Sequence, residues 1–221
     1  MEKTFYDAAN YGKVEEVKSI LRKNPSLNVN WKNEEGGAWT ALHIACHNGH
    51  DSVVSILLAH PDIDPNLKQV NGNTPFMAAC FQGNTSCVRL LLQDQRVMVN
   101  EPANDGCTPL FCAAHQGHQD VINWWIVFGR EMDLGKPGED MTDAIGAAKR
   151  QGKTEVVSLL ERFKSDPAKT RSEIRKQLGI TGSFPLTFLL QMNFNFPFSP
   201  ALRFPCVHST KAHQGAVPRL P

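Results

Sequence analysis

Residues 40–58 read TALHIACHNGHDSVVSILL, and this stretch predicts two short helices that meet at Asn48-Gly49. The apolar residues recur at helical spacing in both halves, so each helix has one face to bury. A pair this short cannot cover both faces alone, and it needs neighbouring pairs of the same kind. The apolar residues are Ala41, Leu42, Ile44 and Ala45 in the first helix and Val53, Val54, Leu57 and Leu58 in the second.

The pattern returns along the chain at a fixed interval. Four threonines are spaced 34 residues apart, at Thr40, Thr74, Thr108 and Thr142. Glycines keep the same step at Gly49, Gly83 and Gly117, and Gly152 follows one residue late. The fifth and eighth residues after these glycines are apolar, at Val54 and Leu57, Val88 and Leu91, Ile122 and Trp125, and Val157 and Leu160. Gly12 starts the same count toward Val17 and Ile20, so the sequence predicts five units.

Three of these units begin with similar sequence motifs, which are TALHIAC at 40–46, TPFMAA at 74–79 and TPLFCAA at 108–114. They resemble the T-P-L-H-x-A-A opening of ankyrin repeats. Gly-His at 49–50 and 117–118 and the asparagines Asn30, Asn66 and Asn100 also fit the family. The resemblance implies an all-α ankyrin-repeat solenoid over residues 3–163, with about five helix-turn-helix units and short hairpin fingers. The first unit lacks the opening motif, and the fifth has an extra residue and no histidine, as terminal units do.

The remainder of the chain is predicted to form two further segments. Asp166-Pro167 looks like a helix start, so residues 164–180 are predicted to be a capping helix that covers the last unit with Ile174 and Leu178. Its basic residues, Arg171, Arg175 and Lys176, are expected to stay solvated, and an acidic-partner site is the alternative. Residues 181–221 are predicted to be a disordered or poorly ordered tail. Within it, residues 184–202 are apolar but interrupted by proline, asparagine and glutamine, which leaves a membrane-adhering or partner-binding segment as the alternative.

Charge and cysteine content limit the class of protein. The chain has 23 Lys+Arg against 22 Asp+Glu and a net charge of +1, so no bulk field favours nucleic acid or an anionic membrane. Six cysteines without a CxxC pair, and a start without an apolar leader, indicate reduced thiols and a cytoplasmic location. Membrane contact is expected only if residues 184–202 provide it.

Two groups of histidine and cysteine residues could in principle carry chemistry as a zinc site or a Cys–His pair. Their spacing argues against it, because it distributes them over two different helices. The resemblance implies that His43 ties its own unit to the next finger, and no phosphate-binding, dinucleotide-binding or metalloprotease motif is present. We therefore predict no catalytic residue, no metal and no cofactor, and keep a metal-dependent or thiol enzyme as an alternative. The groups are His43, Cys46, His47 and His50, and Cys112, His115 and His118.

With no catalytic or metal site predicted, the candidate functional site is a surface that could bind another protein. The resemblance implies that a partner protein binds the concave face built from the finger tips and the first helices. Trp39 and Phe81 are large aromatic residues at positions expected to be exposed, where they would anchor a partner. The chain is thus predicted to be a non-catalytic interaction module, an adaptor or scaffold, and a membrane-tethered scaffold is the alternative. The candidate partner-binding residues are Trp39, His47, Asn48, Asn73, Phe81, Gln82, Cys107, His115 and Gln116.

Overall fold

The computed structural model describes residues 1–139 and 141–180, and apart from one isolated bridge the regular secondary structure of that part is helical. Its α-helices are α1 (Glu2–Asn10), α2 (Val14–Lys23), α3 (Ala41–Asn48), α4 (Asp51–Leu58), α5 (Pro75–Gln82), α6 (Thr85–Gln93), α7 (Pro109–Gln116), α8 (Gln119–Phe128), α9 (Ala144–Arg150), α10 (Thr154–Ser165) and α11 (Pro167–Gln177).

Ten of these helices form five consecutive pairs that stack in two layers. The first helices of neighbouring pairs contact each other in the order α1, α3, α5, α7 and α9. The second helices do the same in the order α2, α4, α6, α8 and α10. The predicted all-α solenoid of five helix-turn-helix units is confirmed, because each pair buries its apolar faces against the next pair.

The repeated threonines begin the first helices. The hydroxyl of Thr74 accepts a hydrogen bond from the backbone N–H of Met77 at 3.2 Å, and Thr108 caps α7 in the same way. Each cap satisfies one of the unpaired N–H groups at a helix start. In the fifth unit the N-cap is Asp143 rather than Thr142. The extra residue of that unit therefore lies in the finger, and the distance from N-cap to Gly152 matches that of the other units.

The core lies between the two layers, at the positions that the glycine count predicted. Val54, Val88 and Ile122 are fully buried, as are Leu57, Leu91 and Trp125. The Trp125 ring meets Phe76 edge to face, with 5.0 Å between centroids. Val157 differs and is only half-buried. It belongs to the fifth helix pair, and within residues 1–139 and 141–180 no sixth pair is stacked on it.

The fingers between the units are bonded to one another through their backbones. Val70 N–H donates to the Gly37 carbonyl at 3.1 Å, and Asn104 N–H donates to the Asn71 carbonyl at 2.9 Å. The first finger is the longest; it contains a 3₁₀ turn at Glu34–Gly36 and an antiparallel bridge between Asn33 and Trp39. These bonds join the first three fingers to one another along one edge of the array.

Three asparagines at the family position connect each unit to the next. The side-chain amide of Asn66 donates to the Arg96 carbonyl at 2.8 Å, and its oxygen accepts from Met98 N–H at 2.7 Å. Asn30 and Asn100 bind the following unit in the same two-sided way. Each amide uses both its donor and its acceptor, so this position requires asparagine rather than aspartate.

Helix α11 packs against α10 and α8, as a capping helix would. Ile174 is buried as predicted, whereas Leu178 is 38% exposed and covers the last unit less completely than predicted. The expectation that Arg171 stays solvated is wrong, because its Nε donates to the Ile126 carbonyl at 2.8 Å. In residues 1–139 and 141–180 no helix is both long and apolar enough to cross a membrane. The predictions for residues 181–221, including the apolar segment 184–202, lie outside the described residues, and the boundaries 3–163, 164–180 and 181–221 stay predictions.

Candidate functional site

The nine predicted partner-binding residues fall into two sets in the structure. One set lies in the fingers directly before the threonine N-caps: Trp39, Asn73 and Cys107. The other set forms the last two positions of three first helices: His47 and Asn48 in α3, Phe81 and Gln82 in α5, and His115 and Gln116 in α7. Because α3, α5 and α7 stack in that order, the second set consists of three residue pairs on neighbouring helices of one layer.

Trp39 is half-buried, so the expectation of an exposed side chain is wrong. Its indole meets the His47 ring edge to face at 5.0 Å between centroids, and the His43 ring lies 6.0 Å away. The amide nitrogen of Gln82 lies 3.1 Å from His47 Nε2. These side chains join the second unit to the third, and truncating Trp39 would disturb that junction as well as any partner contact.

Phe81 is exposed as predicted, with 46% of its surface accessible. Its backbone is nevertheless fixed, since its carbonyl accepts a hydrogen bond from His118 Nε2 at 2.9 Å. The ring is thus presented from a helix end that the next unit holds in place. This combination of a free aromatic ring and a restrained backbone is typical of an interface anchor, because little conformational freedom remains to be lost on binding.

Asn48 and Gln82 are also exposed, but several of the other predicted residues are engaged in contacts within the array. Asn48 donates to the carbonyl and to the side-chain oxygen of Asn10 at 3.0 and 2.9 Å, which ties the second unit to the first. Asn73 is half-buried and its carbonyl accepts from His43. The His115 ring stacks on Phe111 with 5.8 Å between centroids, and Gln116 is half-buried.

The residue that follows each glycine has a connecting role that the sequence analysis missed. His50 Nε2 donates to the Asn10 carbonyl at 3.0 Å. In the next unit Asn84 donates to the carbonyls at the end of α3, both at 2.8 Å. His118 repeats this contact on Phe81. The sequence contained a sign of this role, because residues 50, 84 and 118 are spaced 34 residues apart and are all polar.

Arginines close the ends of the second helices in a similar manner. Arg96 Nη2 donates to the Leu58 carbonyl at 2.6 Å, and Arg130 Nη1 donates to the Leu92 carbonyl at 3.3 Å. Arg171 of α11 takes the equivalent place on the Ile126 carbonyl, although it comes from outside the five helix pairs. Each guanidinium satisfies carbonyl groups that a helix end leaves without partners, and its positive charge suits that end of the helix dipole.

His43 is fully buried between two units. Its Nδ1 accepts from Thr40 N–H at 3.2 Å, and Nε2 lies 3.0 Å from the Asn73 carbonyl, to which it donates. The role implied by the family resemblance, a bond from this histidine to the next finger, is therefore present. Burial lowers the pKa of His43 from 6.5 to about 4, although the Asn73 carbonyl favours the charged form.

The His43 pKa predicts a pH dependence of stability. The unfolded chain takes up a proton at this residue below pH 6.5, whereas the folded chain does so only near pH 4, so the stabilisation is complete above pH 6.5 and is lost as the pH falls. Between pH 7 and pH 5 we expect His43 to account for a loss of about 1–2 kcal/mol in the free energy of unfolding.

Urea denaturation of the wild-type chain and a His43→Gln variant at both pH values measures this loss. The variant is expected to be less stable at pH 7 but to depend less on pH, by about the amount given above. If both proteins show the same change between pH 7 and pH 5, the titration of His43 is not its cause.

Cys46, from the set considered for an enzyme, and Cys80, its counterpart 34 residues later, are poor candidates for thiol chemistry. Cys46 and Cys80 are fully buried, and burial raises the pKa of both thiols well above the usual value, so neither is a thiolate near neutral pH. Across residues 1–139 and 141–180 no group of three or more His, Cys, Asp or Glu side chains is arranged to hold a metal ion.

A family model described as ankyrin repeats, in three copies, matches residues 5–91 and 60–127, which together span more than half of the chain. The chain belongs to the ankyrin repeat family. The inter-unit histidine, the asparagines and the threonine caps described above are thus parts of an ankyrin array. Proteins of this family are in general modules for protein–protein interaction.

Three relatives share only a small part of their length, 6% in each case, with this ankyrin array. The 2-5A-dependent ribonuclease of Homo sapiens is 48% identical over 50 residues, which is 23% of this chain and 6% of that protein. Rabankyrin-5 of Homo sapiens is 36% identical over 69 residues, and the Mus musculus protein of the same name is 35% identical over 69 residues. Both matches cover 31% of this chain and 6% of the relative.

Proposed function

We propose that this ankyrin array is a non-catalytic adaptor or scaffold, which binds a partner protein on the surface formed by the fingers and the ends of α3, α5 and α7. The observation that carries the proposal is the Phe81 ring, which is exposed while its backbone is bonded to the next unit. Exposed apolar side chains on the fingers, Val70 and Met141, support it.

The proposed mode of binding follows from the rigidity of this surface. Backbone bonds join neighbouring fingers, and His47, Asn48 and His118 connect the first helices. A partner would therefore meet a largely preformed surface and would lose little free energy to ordering it. Affinity would then depend on shape and on one or two aromatic anchors rather than on net charge, which is close to zero.

Phe81→Ala is expected to weaken partner binding at least tenfold, as truncation of an aromatic anchor does. The melting temperature should stay nearly the same, because surface substitutions usually change stability by less than about 0.5 kcal/mol. Met98→Ala is the matched control: Met98 is 51% exposed, lies five residues after the end of α6 and is not one of the nine predicted residues.

The partner can be found with a photo-crosslinking amino acid placed at position 81 and, in a parallel chain, at position 98. A protein captured from position 81 and not from position 98 is then purified, and its Kd is measured against wild-type, Phe81→Ala and Met98→Ala chains. Equal Kd values for the two variants would contradict the proposed surface. Trp39→Ala is a poorer probe, since this half-buried residue is expected to lower stability and binding together.

We include a cytoplasmic location in the proposal. Five cysteines of the described residues carry free thiols, and two of them lie side by side without a bond. Free thiols are typical of proteins in reducing compartments. Fractionation of cells that express the full chain, with a chain of residues 1–180 for comparison, tests the location and also any attachment through residues 184–202.

A further inference from the structure

Two cysteines of the fourth unit are in direct contact. Cys107 lies in the finger immediately before the N-cap Thr108, and Cys112 lies in the second turn of α7. Their Sγ atoms are 3.8 Å apart. Cys107 is half-buried and open to solvent on one side, whereas Cys112 is 7% exposed. The other described cysteines, Cys46, Cys80 and Cys87, are fully buried.

The contact makes the two thiols unequal. The Cys112 thiol donates a hydrogen bond to the Cys107 sulfur, and this bond lowers the pKa of Cys107 while it raises the pKa of Cys112. Partial burial and the nearby carboxylate of Asp105 act in the opposite direction on Cys107 but do not cancel the effect. A more acidic, accessible thiol beside a second thiol is the arrangement found in redox-sensitive cysteine pairs.

We propose that Cys107 and Cys112 form a reversible intramolecular disulfide when the protein meets a hydroperoxide. The Cys107 thiolate attacks the O–O bond, so a sulfenic acid forms and the alcohol, or water from hydrogen peroxide, departs. The Cys112 sulfur then attacks the Cys107 sulfur. The S–S bond forms, the S–O bond breaks, and the hydroxide leaves as water with the Cys112 proton. Two thiols lose two electrons in total, the peroxide gains them, and a small dithiol or glutathione reverses the change.

The local structure allows this reaction. The sulfur atoms must approach from 3.8 Å to about 2.05 Å, the length of a disulfide bond. Cys107 lies outside the helices, and its backbone carbonyl accepts from Ala103 N–H at 2.9 Å, so the approach calls for a rotation of the Cys107 side chain while its finger and α7 stay in place. Cys112 belongs to a buried cluster with Met77, Phe111 and Ala147, and Cys107 packs against that cluster. The reaction does not depend on which partner the surface binds, so it can be tested without one.

The test uses the full chain treated with a small excess of hydrogen peroxide. Free thiols are then alkylated in denaturant, and the protein is cut with chymotrypsin, which cleaves after Phe111 and so separates Cys107 from Cys112 unless a disulfide joins them. We expect the joined fragments in the peroxide-treated sample, and we expect dithiothreitol to release them. Fragment analysis is needed because Met98 is exposed and can gain an oxygen that would confuse the intact mass.

Three variants give the controls. Cys107→Ser should abolish the joined fragments and leave Cys112 free to be alkylated. Cys112→Ala should leave a sulfenic acid at Cys107 that a 1,3-dione reagent traps; circular dichroism checks that this variant is folded. Cys80→Ala should behave as wild type, because the equivalent residue one unit later is Ala114. Unmodified thiols, sulfinic acid at Cys107 as the main product, or a bond from Cys107 to Cys206 would each overturn the proposal.

Discussion

Trp125→Ala is expected to lower the free energy of unfolding by about 3–5 kcal/mol, the largest effect that we predict for a single substitution. Trp125 is one of the large side chains that are completely buried, and its ring packs edge to face on Phe76. Its Nε1–H also donates to the Glu131 carbonyl at 3.2 Å. The variant would leave a cavity beside α8 at the place of the indole ring. Helix α8 contacts α6, α7, α10 and α11, so the loss would affect the packing of several helices.

Trp124→Ala is the control for that experiment, because the neighbouring tryptophan is only half-buried. The Arg89 guanidinium lies over its ring at 4.0 Å, so some stability should be lost with the stacking, about 1–2 kcal/mol. Urea denaturation followed by circular dichroism measures both variants, since each change alters the tryptophan fluorescence. Equal losses for the two variants would show that α8 does not place Trp125 in the core.

Gly83→Ala is expected to cost about 2–3 kcal/mol for two separate reasons. Gly83 has φ +74°, which an alanine adopts at a cost of about 1–2 kcal/mol. An added Cβ would also lie too close to the His118 ring, whose Nδ1 would be about 2.5 Å away. The ring would have to move, and the bond from His118 to the Phe81 carbonyl would be lost with it.

Gly152→Ala separates these two costs. Gly152 occupies the equivalent place in the fifth unit with φ +65°, but an added Cβ there meets no atom within 4 Å. We expect this variant to lose only the backbone contribution, about 1–2 kcal/mol. The difference between the two midpoints at constant m value reports the inter-unit histidine contact. A larger loss for Gly152→Ala than for Gly83→Ala would refute the role that we give to His118.

The fold could be predicted from the sequence because the same burial requirement recurs in every repeat unit. Each unit must bury the same two faces, so residues such as Val54, Val88 and Ile122 had to be apolar at one spacing. The threonine caps and the positive-φ glycines obey the same geometry, and they repeat for that reason. Even the irregular fifth unit was visible as an extra residue, which the structure places in the finger before Asp143.

The details of the surface were harder to predict, because they depend on contacts between units. Trp39 looked exposed from its position alone, yet the rings of His43 and His47 cover part of it. The orientation of those rings follows from the stacking of α3 and not from any local pattern. Arg171 was expected to remain in water for the same reason, since its partner carbonyl belongs to a helix that ends 43 residues earlier, at Phe128.

The sequence analysis missed one residue pair, although its two members are only five residues apart. Cys107 was assigned to the candidate binding surface, whereas Cys112 was considered only together with His115 and His118. The turn into α7 brings them together because it begins at Thr108, between the two. A cysteine just before an N-cap and another in the following turn would be worth noting in other chains.

The arginine contacts have a consequence for how this protein is made. Arg96 lies 38 residues beyond the Leu58 carbonyl that it binds, Arg130 lies 38 beyond Leu92, and Arg171 lies 45 beyond Ile126. Because synthesis proceeds from the first residue to the last, the helices α4, α6 and α8 each emerge from the ribosome before the arginine that binds their last carbonyls. The last carbonyls of each of these helices therefore gain their arginine partner only after about one more unit has been synthesised. A stalled nascent chain would expose a helix end whose carbonyls still lack this partner.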